Sequence, residues 1–295
     1  MPERLGSIDI GSNAVRGFIG EILEKKKQLK VKKIERKRIP LRLAPDVLTT
    51  GNIPENLCLQ LIEALQEFQA MFREYGVNNI KACATESLRI ADNSKEVLQR
   101  AIDSTGLDLQ VISGTEEAEI VFRHRIKQLA EPDKNILFAD IGGGSTDIVL
   151  QKNNGQLLSG SFPLGTHRIL TGTVPEDARA NLQEFLLDNI SSPLTWQFFG
   201  SGGNIRTLSK LSGKKKNVPL LYQELESFYK EMSSLSIAER MENWSLKQDR
   251  ADVIVPALSI FLMILESCNK ETVFVPKTNL NEGLVLELYH ELQTG

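Results

Sequence analysis

At 295 residues, with 41% hydrophobic and 25% charged residues, the chain has the composition of an ordinary folded protein and room for two typical domains. A formal charge of −3 argues against a general or sequence-specific nucleic-acid binder. The longest apolar stretch, Val253 to Leu265, is too short to span a bilayer and contains Pro256. No apolar run follows the basic start, so the expectation is a cytoplasmic protein without a membrane partner, in which that stretch is a buried helix. Cys58, Cys83 and Cys268 are far apart and form neither a metal spacing nor a redox pair, which predicts reduced core thiols.

In chain order, "RLGSIDIG" reads as a strand, with Leu5, Ile8 and Ile10 apolar and Gly11 ending it. A second strand follows over about Ala14 to Ile22. The segment from Lys25 to Arg38, with nine basic residues against the single acid Glu35, reads as a third. Its charge suits either attraction of a polyanion or protection of an edge strand from aggregation. The stretch from Pro40 to Pro54 is turn-rich, with "TTGN" before a helix. Leu57, Leu61, Leu65, Phe68 and Phe72 then recur three and four apart, predicting a long amphipathic helix closed by Gly76. "NIKACAT" is a short strand, "SKEVLQRAIDSTG" a helix closed by Gly106, and "LQVIS" a strand. "GTEEAEIVFRHRIKQLA" reads as one helix with Glu116 and Glu117 in its first turn, where acids are electrostatically favoured. "NILFADIG" restarts the strand pattern, and "TDIVLQKNNGQLLSGSFPLG" reads as a hairpin around "NNG". From Thr166 onward helix dominates, interrupted by the strand-like "WQFFGSGG" and "TVFVP".

The order is strands then helices, twice over. "SIDIGSNAVRGFIGEI" and "FADIGGGSTDIVLQK" share one plan of strand, Asp-Ile-Gly, small polar turn and returning strand, with 131 residues separating Asp9 from Asp140. A duplicated α/β unit of this kind predicts two lobes facing a cleft, where ligands usually bind.

The turns carry the chemistry. Successive glycines let backbone N–H groups approach an anion closely, which fits Gly142, Gly143 and Gly144, with Ser145 and Thr146 adding hydroxyl donors. Gly11, Ser12 and Asn13 offer a similar turn from the first half. "GSGGN", containing Gly202, Gly203 and Asn204, leads into a helix, whose N-terminus favours anions. Carboxylates beside phosphate repel it unless a cation intervenes, so Asp9, Asp140 and Asp147 imply a hard cation, with Mg²⁺ the expectation because it takes carboxylate and phosphate oxygens together. Glu117 is the candidate to orient and deprotonate water, with Glu116 and Glu119 as alternatives. Arg89, in "ATESLRIADN", has the planar fork that matches phosphate oxygens.

Seven ordered stretches, "IDIGSN", "ATESLRIADN", "VISGTEEA", "DIGGGSTD", "PLGTHR", "GSGGNIRTLSKL" and "RADVIVPALSI", resemble the exopolyphosphatase and guanosine pentaphosphate phosphohydrolase (Ppx/GppA) family over about Ile8 to Glu287. The resemblance implies two actin-like (ribonuclease H-like) lobes, 1–124 plus 281–295 and 125–280, in the short form without the long helical C-terminal extension of larger relatives. It implies Glu117 as the base for the attacking water, Asp140 and Arg89 as its catalytic companions, Gly11 to Asn13 and Gly142 to Thr146 as phosphate loops, and Glu117 among the metal ligands with Asp9, Asp140 and Asp147. The implied activity is Mg²⁺-dependent hydrolysis of a terminal phosphoanhydride of inorganic polyphosphate or guanosine pentaphosphate, with a homodimer expected from similar proteins. Three positions depart from the family's pattern: Asp147 where glutamate is usual, Ala14 where serine is frequent, and Ala257 where glycine is frequent. The alternatives are a non-catalytic sensor of the same polyanions and, against the "SGTEEAE" stretch, an ATP-dependent kinase or ATPase of the wider superfamily.

Overall fold

The computed structural model describes residues 3–25, 28–190, 196–215, 217–277 and 279–294. Lys26 and Lys27 of the basic segment, and Lys216 of the lysine run at 214–216, lie outside the described residues. The chain divides into two compact units, Met1–His124 with Asn279–Gly295, and Arg125–Thr278.

The first unit contains β1 (Arg4–Ile10), β2 (Ala14–Lys25), β3 (Gln28–Pro40), α1 (Leu43–Thr50), α2 (Glu55–Glu74), β4 (Ile80–Ala84), α3 (Glu86–Ile90), α4 (Ser94–Thr105), β5 (Leu109–Val111) and α5 (Gly114–Val121). Its sheet runs β3-β2-β1-β4-β5, an antiparallel meander extended by two parallel strands. Strand alternation sorts β1 into two faces. Ile8 and Ile10 pack with Leu61, Leu65, Phe68 and Phe72 of α2, and each such fully buried side chain contributes about 1.5–3 kcal/mol. Leu5, Ser7 and Asp9 point the other way. Leu5 packs with Val285 and Leu286 of the C-terminal helix, and the Ser7 hydroxyl lies 3.0 and 2.9 Å from the backbone and side-chain oxygens of Asn281.

The second unit contains β6 (Asn135–Ile141), β7 (Thr146–Gln151), β8 (Leu157–Phe162), α6 (Thr166–Thr171), α7 (Ala178–Asn189), β9 (Trp196–Ser201), α8 (Gly203–Leu211), β10 (Leu220–Leu221), α9 (Tyr222–Ser233), α10 (Ile237–Asn243), α11 (Gln248–Ala251), α12 (Ile254–Ser267) and β11 (Thr272–Val273). Its main sheet runs β8-β7-β6-β9, with β9 parallel to β6 and the rest antiparallel. The order and sense match β3-β2-β1-β4 strand for strand, so the doubling read from the sequence is a doubling of topology. The apolar run from Val253 is α12, whose Leu258, Phe261 and Leu265 are completely buried. Pro256 falls in its first turn, where no N–H is needed. The final helix, α13 (Leu280–Thr294), returns to the first unit. All three cysteines are free and buried. Among the described residues no helix is long and apolar enough to cross a membrane.

Two expectations are corrected. The turn-rich stretch at 40–54 contains a helix: α1 buries Leu43, Ala44 and Val47 on one face, and Pro45 sits in its first turn where proline is tolerated. The helix carrying Glu117 is shorter than its periodicity suggests. It is α-helical only to Val121 and widens into a π-helical turn over Phe122–Ile126, burying Phe122 and Ile126 together. The boundary between the units falls inside that turn, after His124.

Candidate functional site

The two hairpin turns are built alike. Gly11 N–H donates to the Ala14 carbonyl at 3.2 Å, and Gly142 N–H donates to the Ser145 carbonyl at 2.9 Å. In each unit the turn is fastened to the helix that follows the third strand. The Asn13 and Ser12 carbonyls accept from the N–H groups of Arg42 and Ala44 at 3.3 and 3.1 Å, at the start of α1. The Gly142 and Gly143 carbonyls accept from Thr166 and His167 N–H at 3.1 and 2.6 Å, at the start of α6, and Arg168 Nε donates to the Gly144 carbonyl at 2.9 Å. The acceptors of the glycine turn are thus occupied inside the protein. Among the described residues the N–H groups of Gly143 and Gly144 take no intramolecular partner, which is the arrangement an anion requires. Gly165 makes the fastening possible: a Cβ there would lie 2.3 Å from Gly144 C and 2.4 Å from Gly143 O.

Behind each turn is a rung of the hairpin. In the first unit Asp9 faces Arg16, whose Nη1 is 2.6 Å from Asp9 Oδ2. The other oxygen, Asp9 Oδ1, is buried with no hydrogen-bond partner among the described residues. In the second unit the same rung is Asp140 opposite Asp147. Asp147 is 4% exposed and accepts hydrogen bonds from the hydroxyls of Ser145, at 3.1 Å, and Ser161. Directly opposed like charges are unfavourable in a sheet, and the two serine hydroxyls each take one Asp147 oxygen.

Glu117 lies in the first turn of α5, capped by the Ser113 hydroxyl, which accepts from Glu116 N–H at 3.1 Å. Glu116 is exposed, whereas Glu117 and Glu119 are both half-buried, so burial sets Glu116 apart from the other two carboxylates the sequence leaves equivalent. Cys83 reports what surrounds them. Burial pushes its thiol well up, the charges of Asp9, Glu117 and Glu116 push further, and Lys81 opposes. Asp9 and Glu117 therefore act on one buried point, and the thiol itself is unreactive at neutral pH. Arg89 Nη1 donates to the Ile112 carbonyl at 2.8 Å, joining α3 to the segment that leads into α5. Gly202 has φ 109° and caps α8, while Asn204 is buried and its Oδ1 is 3.5 Å from Arg250 Nη1.

Arg16, Ser161, Arg168 and Arg250 were not singled out from sequence. Arg16 follows Asp9 by seven residues, the spacing that also separates Asp140 and Asp147, so matching the two hairpins residue by residue would have found it. Ser161 is recognisable only once β8 is in register, opposite Asp147. Within either unit, among the described residues, no three His, Cys, Asp or Glu side chains gather into a metal cluster. The donor set nevertheless fits Mg²⁺, which takes one or two carboxylates and completes its shell with water and phosphate oxygens. Asp140 and Asp147 supply that pair, and the orphaned Asp9 Oδ1 calls for a donor or cation of its own.

A model of the Ppx/GppA phosphatase family matches residues 22–292. The chain is 26% identical over 303 residues to "Exopolyphosphatase 1" of Mycobacterium bovis, covering 96% of this chain and 87% of that protein. It is similar to the crystal structure of the Aquifex aeolicus Ppx/GppA family member, with TM-score 0.77, 28% identity and coverage of 100% and 99%. It shares the fold of an exopolyphosphatase from Cytophaga hutchinsonii, with TM-score 0.79, 24% identity and coverage of 99% and 98%.

Proposed function

The chain belongs to the Ppx/GppA phosphatase family, and from that premise we propose that it hydrolyses the terminal phosphoanhydride bond of inorganic polyphosphate, with guanosine pentaphosphate as the second substrate to be tested. The observation that carries this reading is the Gly142–Thr146 turn. Its carbonyls are occupied by α6 and Arg168 while Gly143 and Gly144 keep their N–H groups for phosphoryl oxygens. The 26% identity to a protein named exopolyphosphatase supports polyphosphate as the substrate class.

Phosphoryl transfer depends mainly on positioning and on neutralising the equatorial oxygens. The Gly142–Thr146 turn offers phosphate its Gly143 and Gly144 N–H groups. Its Ser145 and Thr146 hydroxyls, expected as donors, are instead spent on Asp147 and the Leu164 carbonyl. In the first unit the Gly11–Asn13 turn offers Ser12. Arg89, braced on the Ile112 carbonyl, presents the rest of its guanidinium fork to an anion. Glu117 orients the attacking water and accepts its proton at a carboxylate oxygen, a role worth roughly 10²–10⁴ in rate. Mg²⁺, when bound by Asp140 and Asp147, supplies positive charge to the phosphoryl oxygens. Asp9 is matched by Arg16 and holds it beside the first turn.

Phosphate release from long polyphosphate, tripolyphosphate and guanosine pentaphosphate, each with Mg²⁺ and with chelator, tests the reading. Release from polyphosphate that requires Mg²⁺ is the expected result. Binding of polyphosphate without release from any substrate would replace the hydrolase with a sensor.

A further inference from the structure

The packing of α13 on β1 contains a buried polar pair. Leu5 packs with Val285 and Leu286, and two residues further along β1 the Ser7 hydroxyl lies 2.9 Å from Asn281 Oδ1 and 3.0 Å from the Asn281 carbonyl oxygen. Ser7 is 0% and Asn281 1% exposed. The fold does not demand a polar residue there. In β6, the twin of β1, the residue two before Asp140, as Ser7 is two before Asp9, is Phe138, which is also 0% exposed.

Burying a hydroxyl and an amide has a desolvation cost that their hydrogen bond largely offsets, so an apolar pair of the same shape would hold the helix about as strongly. What the hydrogen bond adds is direction. Apolar contact is non-directional and tolerates a slip of the helix along the strand, whereas a slip of one residue brings the apolar Leu280 or the longer, charged Glu282 opposite Ser7. The ion pairs of α13 with Lys81 and Arg123 each have a partner more than half exposed, which makes them weak restraints.

The register matters two residues further on. Gly283 packs against α5, where a Cβ would lie 2.5 Å from Ile120 Cγ2 and 3.3 Å from the Ile120 carbonyl. It is the single glycine of α13, so any slip sets a side chain against α5 at that point, one turn after Glu117. We propose that Ser7 and Asn281 are positioning residues for the hydrolysis: their hydrogen bond fixes the register of α13 on β1, keeps Gly283 on Ile120 and so holds the Glu117 carboxylate in place. This assignment rests on the reading of Glu117 as the base.

The test compares Ser7→Ala, Asn281→Leu and the double variant, each in the full chain, by thermal melt, by kinetics on long polyphosphate with saturating Mg²⁺, and by amide hydrogen exchange. Each single variant leaves one buried polar group unpaired and is expected to melt about 2–6 °C below wild type. The double variant leaves neither and is expected to melt within about 2 °C of wild type. Its kcat is nevertheless expected to stay lowered about tenfold or more with KM within about twofold, because a displacement near 1 Å costs up to about 10²-fold. Amide exchange over residues 117–121 is expected to stay about tenfold faster than in wild type.

A double variant with wild-type kcat and wild-type exchange over α5 overturns the proposal, since the pair then only fills the interface. If the double variant does not regain its melting temperature, exchange decides: acceleration confined to α5 and α13 supports the register role, and acceleration throughout the first unit overturns it. If the wild type releases no phosphate yet α5 exchanges faster in the double variant, the register role stands and the hydrolase reading falls. If the wild type is active and the double variant matches it in kcat and exchange, the reverse holds.

Discussion

Asp140 and Asp147 face one another across the β6–β7 hairpin, at the rung where the β1–β2 hairpin sets Asp9 against Arg16. One rung pairs a carboxylate with a cation and the other places two carboxylates in register. The proposed Mg²⁺ is assigned to the second rung, whose two carboxylates are the pair such an ion takes. Asp147→Asn is expected to raise the Mg²⁺ concentration for half-maximal activity about tenfold, the cost of losing one metal-linked contact. Asp9→Asn is expected to leave that concentration within about twofold while destabilising the fold by about 1–3 kcal/mol, because Arg16 loses its buried partner. A Mg²⁺ titration and a thermal melt of both variants check this, and a larger Mg²⁺ shift for Asp9→Asn would assign the cation to the first rung.

Gly165 holds the glycine turn against α6 with no room for a side chain. The atoms a Cβ would meet are backbone and have no rotamer to change. Gly165→Ala is expected to destabilise the protein by about 2 kcal/mol and to lower phosphate release at least tenfold by displacing the Gly143 and Gly144 N–H groups, a loss of the size expected when one preorganised donor is removed. Gly172→Ala, at a helix end with φ 67° and open space around it, is the contrast: some stability is lost to strain, but activity per folded molecule is retained.

The C-terminal helix α13 supports the helix that carries Glu117. A Cβ on Gly283 would lie 2.5 Å from Ile120 Cγ2 and 3.3 Å from the Ile120 carbonyl, one turn after Glu117. Gly283→Ala is expected to cost about 1–3 kcal/mol and to reduce kcat more than it raises KM. Ile120→Ala, which removes the clashing methyl, is expected to restore kcat in the double variant. Additive losses in the cycle would show that the two positions do not act through this contact.

Glu287 gives a pH signature. Burial alone would raise its carboxyl, but His124 Nε2 at 3.7 Å, Arg123 Nη2 at 3.3 Å and the Lys81 charge hold it below the ordinary value. The groups facing it are Arg123 and His124 from the π-helical turn and Lys81 from β4, with His290 and Glu291 on its own helix. A carboxyl lowered in the folded state adds stability above the unfolded pKa, near 4.3, and that stability is lost as pH falls through the folded value. Glu287→Gln is therefore expected to melt about 2 °C below wild type at pH 7, on the scale of 1 kcal/mol or less. The gap should close below about pH 4. A gap that widens in acid would reverse the sign of the effect.

The strands and the doubling were legible because Ile8 and Ile10 alternate with Ser7 and Asp9, and because the Asp-Ile-Gly stretch occurs twice. Glu117 and the glycine turns were legible as residue types. Their standing among neighbours was not, since the burial that sets Glu116 apart from Glu117 is a property of the fold. Partners across a hairpin were also hidden: Arg16 and Ser161 matter through register, which no local pattern states. α1 lies between Pro40 and Pro54 and holds Pro45 in its first turn, where a helix accepts it. The face of each β3 cation was unreadable for a sharper reason, because a bulge at Ile34 breaks the two-residue alternation in the middle of the basic run.

Glu117 is the residue on which the proposed hydrolysis turns. Initial rates of phosphate release from polyphosphate with saturating Mg²⁺, compared among wild type, Glu117→Gln and Glu116→Gln, test it most directly. The predicted result is a kcat lowered roughly 10²–10⁴-fold in Glu117→Gln with KM little changed, and a rate within about threefold of wild type in Glu116→Gln, whose exposed side chain has no assigned role. Wild-type activity in Glu117→Gln, or the larger loss in Glu116→Gln, would contradict the assignment of the base.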